Sequence, residues 1–230
     1  ALKTFESLNP ATGEVVGIFP VTTAKEVNEI VARAQSVSER WANLSFRKRL
    51  TVLRDWASLL TREIDNAADL IHRETGKPLS DAKLEVAISI EHISWAAKFA
   101  PKVLSPQNRP SGLLMFNMTS QVQRVPYGVV GIIGPWNYPM FTPMGSIAYA
   151  LAAGNTVVFK PSEYTPAIGA WLGETFKRVA PFSDIFTVIT GTPETGIALT
   201  ESSVGKISFT GSTRTAKKVA ATCAERMTPV

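Results

Sequence analysis

The sequence predicts an α/β protein built on a doubly wound parallel sheet, and three observations lead there. Four short apolar runs, Val129–Ile133, Thr156–Phe159, Phe186–Ile189 and Ile207–Phe209, are rich in β-branched residues and bounded by Gly or Pro. Such runs read as strands buried on both faces, as parallel sheets require. Segments of helical pattern near 139–153, 165–180, 194–202 and 213–226 alternate with them, and that alternation with right-handed crossovers gives a doubly wound sheet. Each run also ends in a polar loop: Gly134–Pro139, Lys160–Glu163, Thr190–Gly196 and Thr210–Thr213. Ligands of open α/β sheets bind outside the carboxyl ends of the strands, so the four loops outline one cofactor site.

The elements that precede the sheet are read in order. Residues 1–20 form a hairpin, in which Phe5–Leu8 and Val15–Phe19 flank the turn Asn9–Gly13. Residues 23–100 are helical. Thr23–Glu26 is a capping box opening a helix whose Val27, Ile30, Val31 and Ala34 share a face. Ser45 caps a second helix with Phe46, Leu50, Leu53, Ala57 and Leu60 inward, which places the basic cluster Arg47-Lys48-Arg49 on its outer face. Gly76 and Pro78 stop a third helix, and a fourth runs from about Asp81 to Pro101. Leu113 to Val125 reads as extended. Met140–Gly154, with Pro143 inside it, is a buried helix rather than a membrane span. The alternation breaks off at Met227–Val230 where a further strand would begin, which reads as a truncation.

Composition narrows the function classes. Apolar content of 45% with 19% charged residues describes a folded chain rather than a disordered one. The N-terminus has no hydrophobic signal core and the chain has a single cysteine, which together predict a cytoplasmic protein without disulfides. A net charge of +5 comes without any nucleic-acid-binding motif, so no nucleic acid and no membrane partner is expected. His72 and His92 lie on N-terminal helices, and no metal-ligand cluster or Ser-His-Asp set can be assembled.

The loops differ in what they can hold. Pro135 and Trp136 replace the usual glycine fingerprint after the first strand, and no Lys-Ser/Thr pair follows Gly191 and Gly196. Gly211-Ser212 directly precedes a helix, whose free N–H groups favour phosphate; Ser212 also reads as the cap of that helix. Glu163, with Lys160, stands where dinucleotide folds place the acidic residue that binds the adenine ribose. Asn137, held between Trp136 and Tyr138-Pro139, offers a rigid amide that can donate to a developing oxyanion. Ile133, Pro135, Trp136, Ser162 and Gly191 complete the candidate cofactor contacts. Cys223 follows Val219 and Ala220 on the packed face of the last helix and is rejected as a nucleophile.

Pro135–Pro139, Phe159–Glu163 and Phe209–Thr213, in that order and spacing, resemble the aldehyde dehydrogenase superfamily across nearly the whole chain. The resemblance implies a domain over residues 1–230 binding NAD, with NADP possible, and Asn137 as the oxyanion donor. It places Lys160 and Glu163 at the ribose and Gly211 and Ser212 near the pyrophosphate. It further implies a β-arm at about 108–126 that pairs subunits in a homo-oligomer, dimer or tetramer. The resemblance implies an aldehyde substrate, oxidised to a carboxylic acid through a Cys thioester. In the family it resembles, the nucleophile and the base lie beyond this stretch, so the chain alone is expected to be inactive. The alternative is a natural, truncated homologue that binds nucleotide or a partner without catalysis. Two departures stand out: Ala216 replaces a frequent second glycine, and the third turn has the short form of the branch acting on fatty and aromatic aldehydes.

Overall fold

The computed structural model describes residues 3–230. Ala1 and Leu2, which belong to the expected hairpin segment, lie outside the described residues. Strands β1 (Thr4–Leu8) and β2 (Val15–Pro20) pair antiparallel, with Gly13 at φ 75° closing the turn. Helix α1 (Ala24–Ala42) begins with the expected capping box: Thr23 N–H donates to Glu26 Oε2 at 2.7 Å and Glu26 N–H to Thr23 Oγ1 at 3.3 Å. Hydrogen bonding by Thr23 holds the Glu26 carboxyl below the usual glutamate range. Ser45 caps α2 (Phe46–Arg62) as expected.

Arg49 departs from the sequence reading. It is buried, not on the outer face, and its guanidinium donates to Ala42 O at 2.6 Å and Leu44 O at 2.5 Å. The cause is local: carbonyls at the end of α1 have no helical partners, and Arg49 lies on the same turn face as Leu50 and Leu53. Helix α3 (Ile64–Thr75) ends at Gly76 in the left-handed region, φ 73°. Helix α4 (Leu79–Leu104) runs through Pro101 instead of stopping there. A proline lacks the N–H that would bond residue 97; Arg54 Nη2 donates to the freed Ala97 carbonyl at 3.3 Å.

The segment expected to be extended is only partly so. Strands β3 (Gln107–Arg109) and β4 (Ser120–Val122) pair antiparallel, but Leu113–Met115 is a single 3₁₀ turn. Gly112, at φ 85°, turns the chain there, and Ser111 Oγ donates to Met118 O at 2.7 Å, which closes the loop on itself. Leu113, Leu114 and Phe116 are almost fully exposed on it.

The remainder alternates as expected: β5 (Val129–Ile133), α5 (Phe141–Ala152), β6 (Thr156–Lys160), α6 (Pro166–Lys177), β7 (Phe186–Val188), α7 (Pro193–Glu201), β8 (Lys206–Phe209) and α8 (Thr213–Ala224). The four strands are parallel in the order β7-β6-β5-β8. Successive side chains face opposite ways. Val130, Ile132, Val157 and Phe159 join one core with α2, α3, α4, α5 and α6. Val129, Val158 and Ile207 join another with α1, α7 and α8. Trp56 anchors the larger core, with Phe176 edge-on at 5.1 Å and its Nε1 donating to Thr175 Oγ1 at 3.1 Å. Its truncation to Ala is worth about 3–5 kcal/mol. Gly131 keeps β5 close to its neighbours, since a Cβ there would stand 2.7 Å from Ile207 Cδ1. The strand order grows outward from β5 through β6 to β7, then returns to β8 on the other side. The crevice at the carboxyl ends of β5 and β8 is therefore the topological switch point.

Candidate functional site

A cavity of about 830 Å³ opens at that switch point, within the size range of cofactor and ligand pockets. Its first wall follows β5. Ile133, Gly134, Pro135, Trp136 and Asn137 all line it, with Trp136 about half exposed. Gly134 N–H donates to Lys160 O at 3.1 Å, which carries the β5–β6 pairing one residue past the strand end. Asn137 is exposed; its Oδ1 accepts Tyr138 N–H at 3.1 Å, which turns Nδ2 away from the backbone. Among the described residues no acceptor takes Nδ2, so it remains a donor facing open space.

The second wall follows β6, every residue of which is buried. Lys160 therefore leaves the strand inside the protein, its side chain 4% exposed, and reaches Glu163 Oε2 at 3.2 Å. Burial pushes the Lys160 ammonium below the usual lysine range, while the Glu163 carboxylate pulls it back up. Pro161 packs on α6 so closely that a Cβ on Gly169 would meet its Cγ at 2.6 Å. Ser162, mostly buried, accepts Tyr164 N–H at 3.3 Å and so serves the turn as well as lining the cavity.

The far wall is the start of α8. Ser212 is the N-cap, its Oγ accepting Thr215 N–H at 3.2 Å. Helix geometry leaves the first N–H groups of α8 without backbone acceptors, beside the positive end of the helix dipole. Gly211 lines the same wall; a Cβ on it would stand 2.6 Å from the Phe209 ring that folds beneath the turn. A dinucleotide fits this arrangement: a charged pair at one end, an anion-binding helix start, and the apolar side chains of Ile133, Ile197, Phe209 and Val219 between them.

Of the expected contacts, Ile133, Pro135, Trp136, Asn137, Lys160, Ser162, Glu163, Gly211 and Ser212 come together around the cavity. Gly191 does not. It is buried behind the site, where a Cβ would stand 2.1 Å from Thr195 Oγ1, so its glycine serves packing against α7. Gly196 and Ile197, a turn further on, line the cavity instead. Arg214 and Lys218 also face it; their i, i+4 spacing behind the Ser212 cap is a signal the sequence carried. Ala216 is not part of the lining.

Groups outside the site are accounted for. Cys223 is fully buried with Val219, and burial pushes its thiol up. His92 lies against Phe141 at 5.0 Å and its Nδ1 is 2.8 Å from the Tyr149 hydroxyl; burial pushes it down. His72 Nδ1 is 2.6 Å from Lys77 O. Among the described residues no cluster of three or more His, Cys, Asp or Glu could hold a metal, and no helix is long and apolar enough to cross a membrane.

Comparison with known proteins matches residues 1–230 to the model of the aldehyde dehydrogenase family. The chain is 35% identical over 235 residues to aminoaldehyde dehydrogenase 2, peroxisomal, of Pisum sativum, covering 99% of this chain and 47% of that protein. It is 37% identical over 227 residues to the mitochondrial succinate-semialdehyde dehydrogenase of Arabidopsis thaliana, covering 96% of this chain and 42% of that protein. The fold superposes on the NAD+ complex of an aldehyde dehydrogenase from Bacillus cereus with a TM-score of 0.92 at 29% identity, covering 98% of this chain and 46% of that one. An E. coli NADP dependent enzyme superposes with a TM-score of 0.93 at 32% identity, covering 98% and 47%. The chain thus spans about half the length of the relatives it matches. Their names place them in different compartments, so they carry no common location. With the family model matched end to end and relatives above 30% identity over nearly all its residues, this chain belongs to the aldehyde dehydrogenase family.

Proposed function

We propose that residues 1–230 are the cofactor-binding part of an NAD(P)-dependent aldehyde dehydrogenase, with NAD the preferred cofactor. The enzyme oxidises an aldehyde to a carboxylic acid through a cysteine thioester, with nucleophile and base supplied by residues outside this chain. The observation that carries the reading is one cavity at the switch point, bounded by Lys160 and Glu163, by Gly211 and Ser212, and by Asn137. A bound nicotinamide cofactor would supply the hydride acceptor for the oxidation. The protein's residues do the rest. Lys160 would donate to the ribose hydroxyls and Glu163 would accept from them, while the start of α8 and the nearby Arg214 and Lys218 would hold the pyrophosphate. The negative charge of Glu163 disfavours a 2′-phosphate at the same place. Asn137 Nδ2 donates to the aldehyde oxygen as a thiolate adds to the carbonyl and negative charge develops there.

The fully buried Cys223, the sole cysteine, supports a nucleophile lying elsewhere and an inactive isolated chain. The same observation favours the second reading, a non-catalytic nucleotide-binding homologue. Titration calorimetry of the chain with NAD tests what both readings share: saturable binding, competed by ADP-ribose, is expected, and no heat up to millimolar NAD would refute them. Aldehyde-dependent NADH formation by the full product of the reading frame separates the two. The subunit-pairing role of the segment at about 108–126 is part of this proposal, supported by the exposed Leu113, Leu114 and Phe116.

A further inference from the structure

The loop that carries Asn137 is gripped from outside by two residues of the helical region, Lys77 and Glu85. Lys77 lies in the short link between α3 and α4, with its side chain only 16% exposed. Its Nζ donates to Glu85 Oε2 at 2.5 Å and to the backbone carbonyl of Asn137 at 2.8 Å, and it stands 4.3 Å over the Tyr138 ring. Glu85, on the inner face of α4, has no exposed side-chain surface. Its Oε1 accepts the N–H groups of Met140 at 2.9 Å and Phe141 at 3.1 Å. These open α5, which has no side-chain cap of its own. The carboxylate thus holds the positive end of α5 as the ammonium holds the residue three places upstream. Lys77 is itself fixed. Gly76 at φ 73° aims the link, Thr75 Oγ1 accepts Lys77 N–H at 3.3 Å, and His72 Nδ1 meets Lys77 O at 2.6 Å.

Neither side chain lines the cavity, yet together they fix both ends of residues 137–141. With the backbone carbonyl of Asn137 anchored and its Oδ1 turned to Tyr138 N–H, the amide has little freedom in where Nδ2 points. An oxyanion donor is effective only when held in place before charge develops, and a displacement near 1 Å costs about 10²-fold in rate. We propose that Lys77 and Glu85 are positioning residues for Asn137: a buried ion pair that pre-orients the amide donor through its backbone. This rests on the reading of Asn137 as that donor.

The test is a double-mutant cycle in the full gene product, assayed for aldehyde-dependent NADH formation. Lys77→Met alone would strand the Glu85 carboxylate and threaten folding. The main variant is therefore Lys77→Met with Glu85→Gln, which keeps an acceptor for Met140 and Phe141 and removes the uncompensated charge. Its kcat is expected to fall by about 10- to 100-fold, with KM for NAD within twofold of wild type. Lys77→Arg is expected to restore most of the rate. In an Asn137→Ala background the same pair of changes should cost nothing further, because the group it positions is gone. Unchanged kcat in a folded variant, or the same fold-loss with and without Asn137, would overturn the proposal. Hydrogen exchange of residues 134–142 provides a readout independent of turnover. Faster exchange there with the rest of the protein unchanged is expected, and retained protection overturns the clamp. If Asn137→Ala leaves kcat intact, or the product oxidises no aldehyde, the donor reading fails by itself and exchange alone decides the clamp.

Discussion

Replacing Lys160 by Met is expected to stabilise the chain while weakening its hold on NAD. The side chain of Lys160 is 4% exposed and its ion-pair partner Glu163, at 3.2 Å, is 32% exposed. Burying an ammonium costs several kcal/mol, and one partly hydrated carboxylate returns only a portion of that. Burial holds Lys160 below the usual lysine range in spite of Glu163, which is the same imbalance seen in the proton affinity. Met keeps the apolar stem packed and removes the charge, and Glu163 retains access to water. The gain is about 1 kcal/mol, at the low end of what replacing buried ion pairs by apolar groups yields, or roughly 2–4 °C in Tm for a chain of this size. The sign with pH follows from linkage. The unfolded lysine keeps its proton to a higher pH than the native one, so between the two pKa values the unfolded state binds more protons and stability rises with pH. The penalty in the wild type is complete below the lowered native pKa and fades as pH rises through it. The advantage of the Met variant should therefore be largest at neutral pH and shrink toward alkaline pH. Affinity moves the other way: on the proposed role of Lys160, loss of a charged donor to the ribose costs about 1.5–3 kcal/mol, roughly 10- to 100-fold in Kd. Thermal unfolding between neutral and alkaline pH, beside calorimetric titration with NAD, measures both. A lower Tm at neutral pH, or an unchanged NAD affinity, would refute the reasoning.

Four further outcomes are expected. Glu163→Gln should improve NADP binding relative to NAD, and an unchanged ratio would mean that Glu163 does not face the ribose. In the full gene product Asn137→Ala should lower kcat by about 10²–10³ with little change in NAD affinity, whereas Cys223→Ser should leave kcat nearly intact; the reverse pattern would exchange site and scaffold. Glu74, buried, accepts the first N–H groups of α6 from Ala167 at 2.8 Å and Ile168 at 3.0 Å, and the Ser7 hydroxyl at 2.7 Å. Glu74→Ala should cost about 3 kcal/mol through stranded donors, seen as a Tm lower by roughly 6–12 °C, and a shift under 2 °C, by the same scaling, would count against that role. Exposed Leu114 and Phe116 should drive self-association of the chain; light scattering should show it relieved by Phe116→Asp, and a wild-type monomer at high concentration would contradict it.

Much of the architecture was legible because its causes are local. The capping box at Thr23 and the cap at Ser45 are contacts within one turn, and Gly76 stops α3 by its own backbone freedom. The two central strands, β5 and β6, announced themselves because both faces are buried, so nearly every residue is apolar. What misled the reading were partners outside the helix or strand being read, some a few residues away and one far along the chain. Arg49 went inside because unpaired carbonyls at the end of α1 lie beside it, and α4 passed Pro101 because Arg54 reaches its freed carbonyl. The extended segment folded into a 3₁₀ turn through a contact between Ser111 and Met118.

The candidate site divides in the same way. Residue types and their places at strand ends were sufficient to choose Asn137, Lys160, Glu163, Gly211 and Ser212, since a parallel sheet delivers its carboxyl ends to one edge whatever the details of packing. The sequence could not separate Gly191 from Gly196. Both flank the same turn, and only the approach of Thr195 to one of them decides which faces the cavity. Nor could it find the two glutamates that hold the helices behind the site. Glu85 meets the start of α5 from 55 residues away and Glu74 the start of α6 from 93. By itself the sequence determined which segments are strands or helices and where their ligand-bearing ends lie, because those follow from periodicity and from capping within a turn. The tertiary structure alone decided which buried charges meet, because a hydrogen bond between distant segments leaves no spacing in the chain to be read.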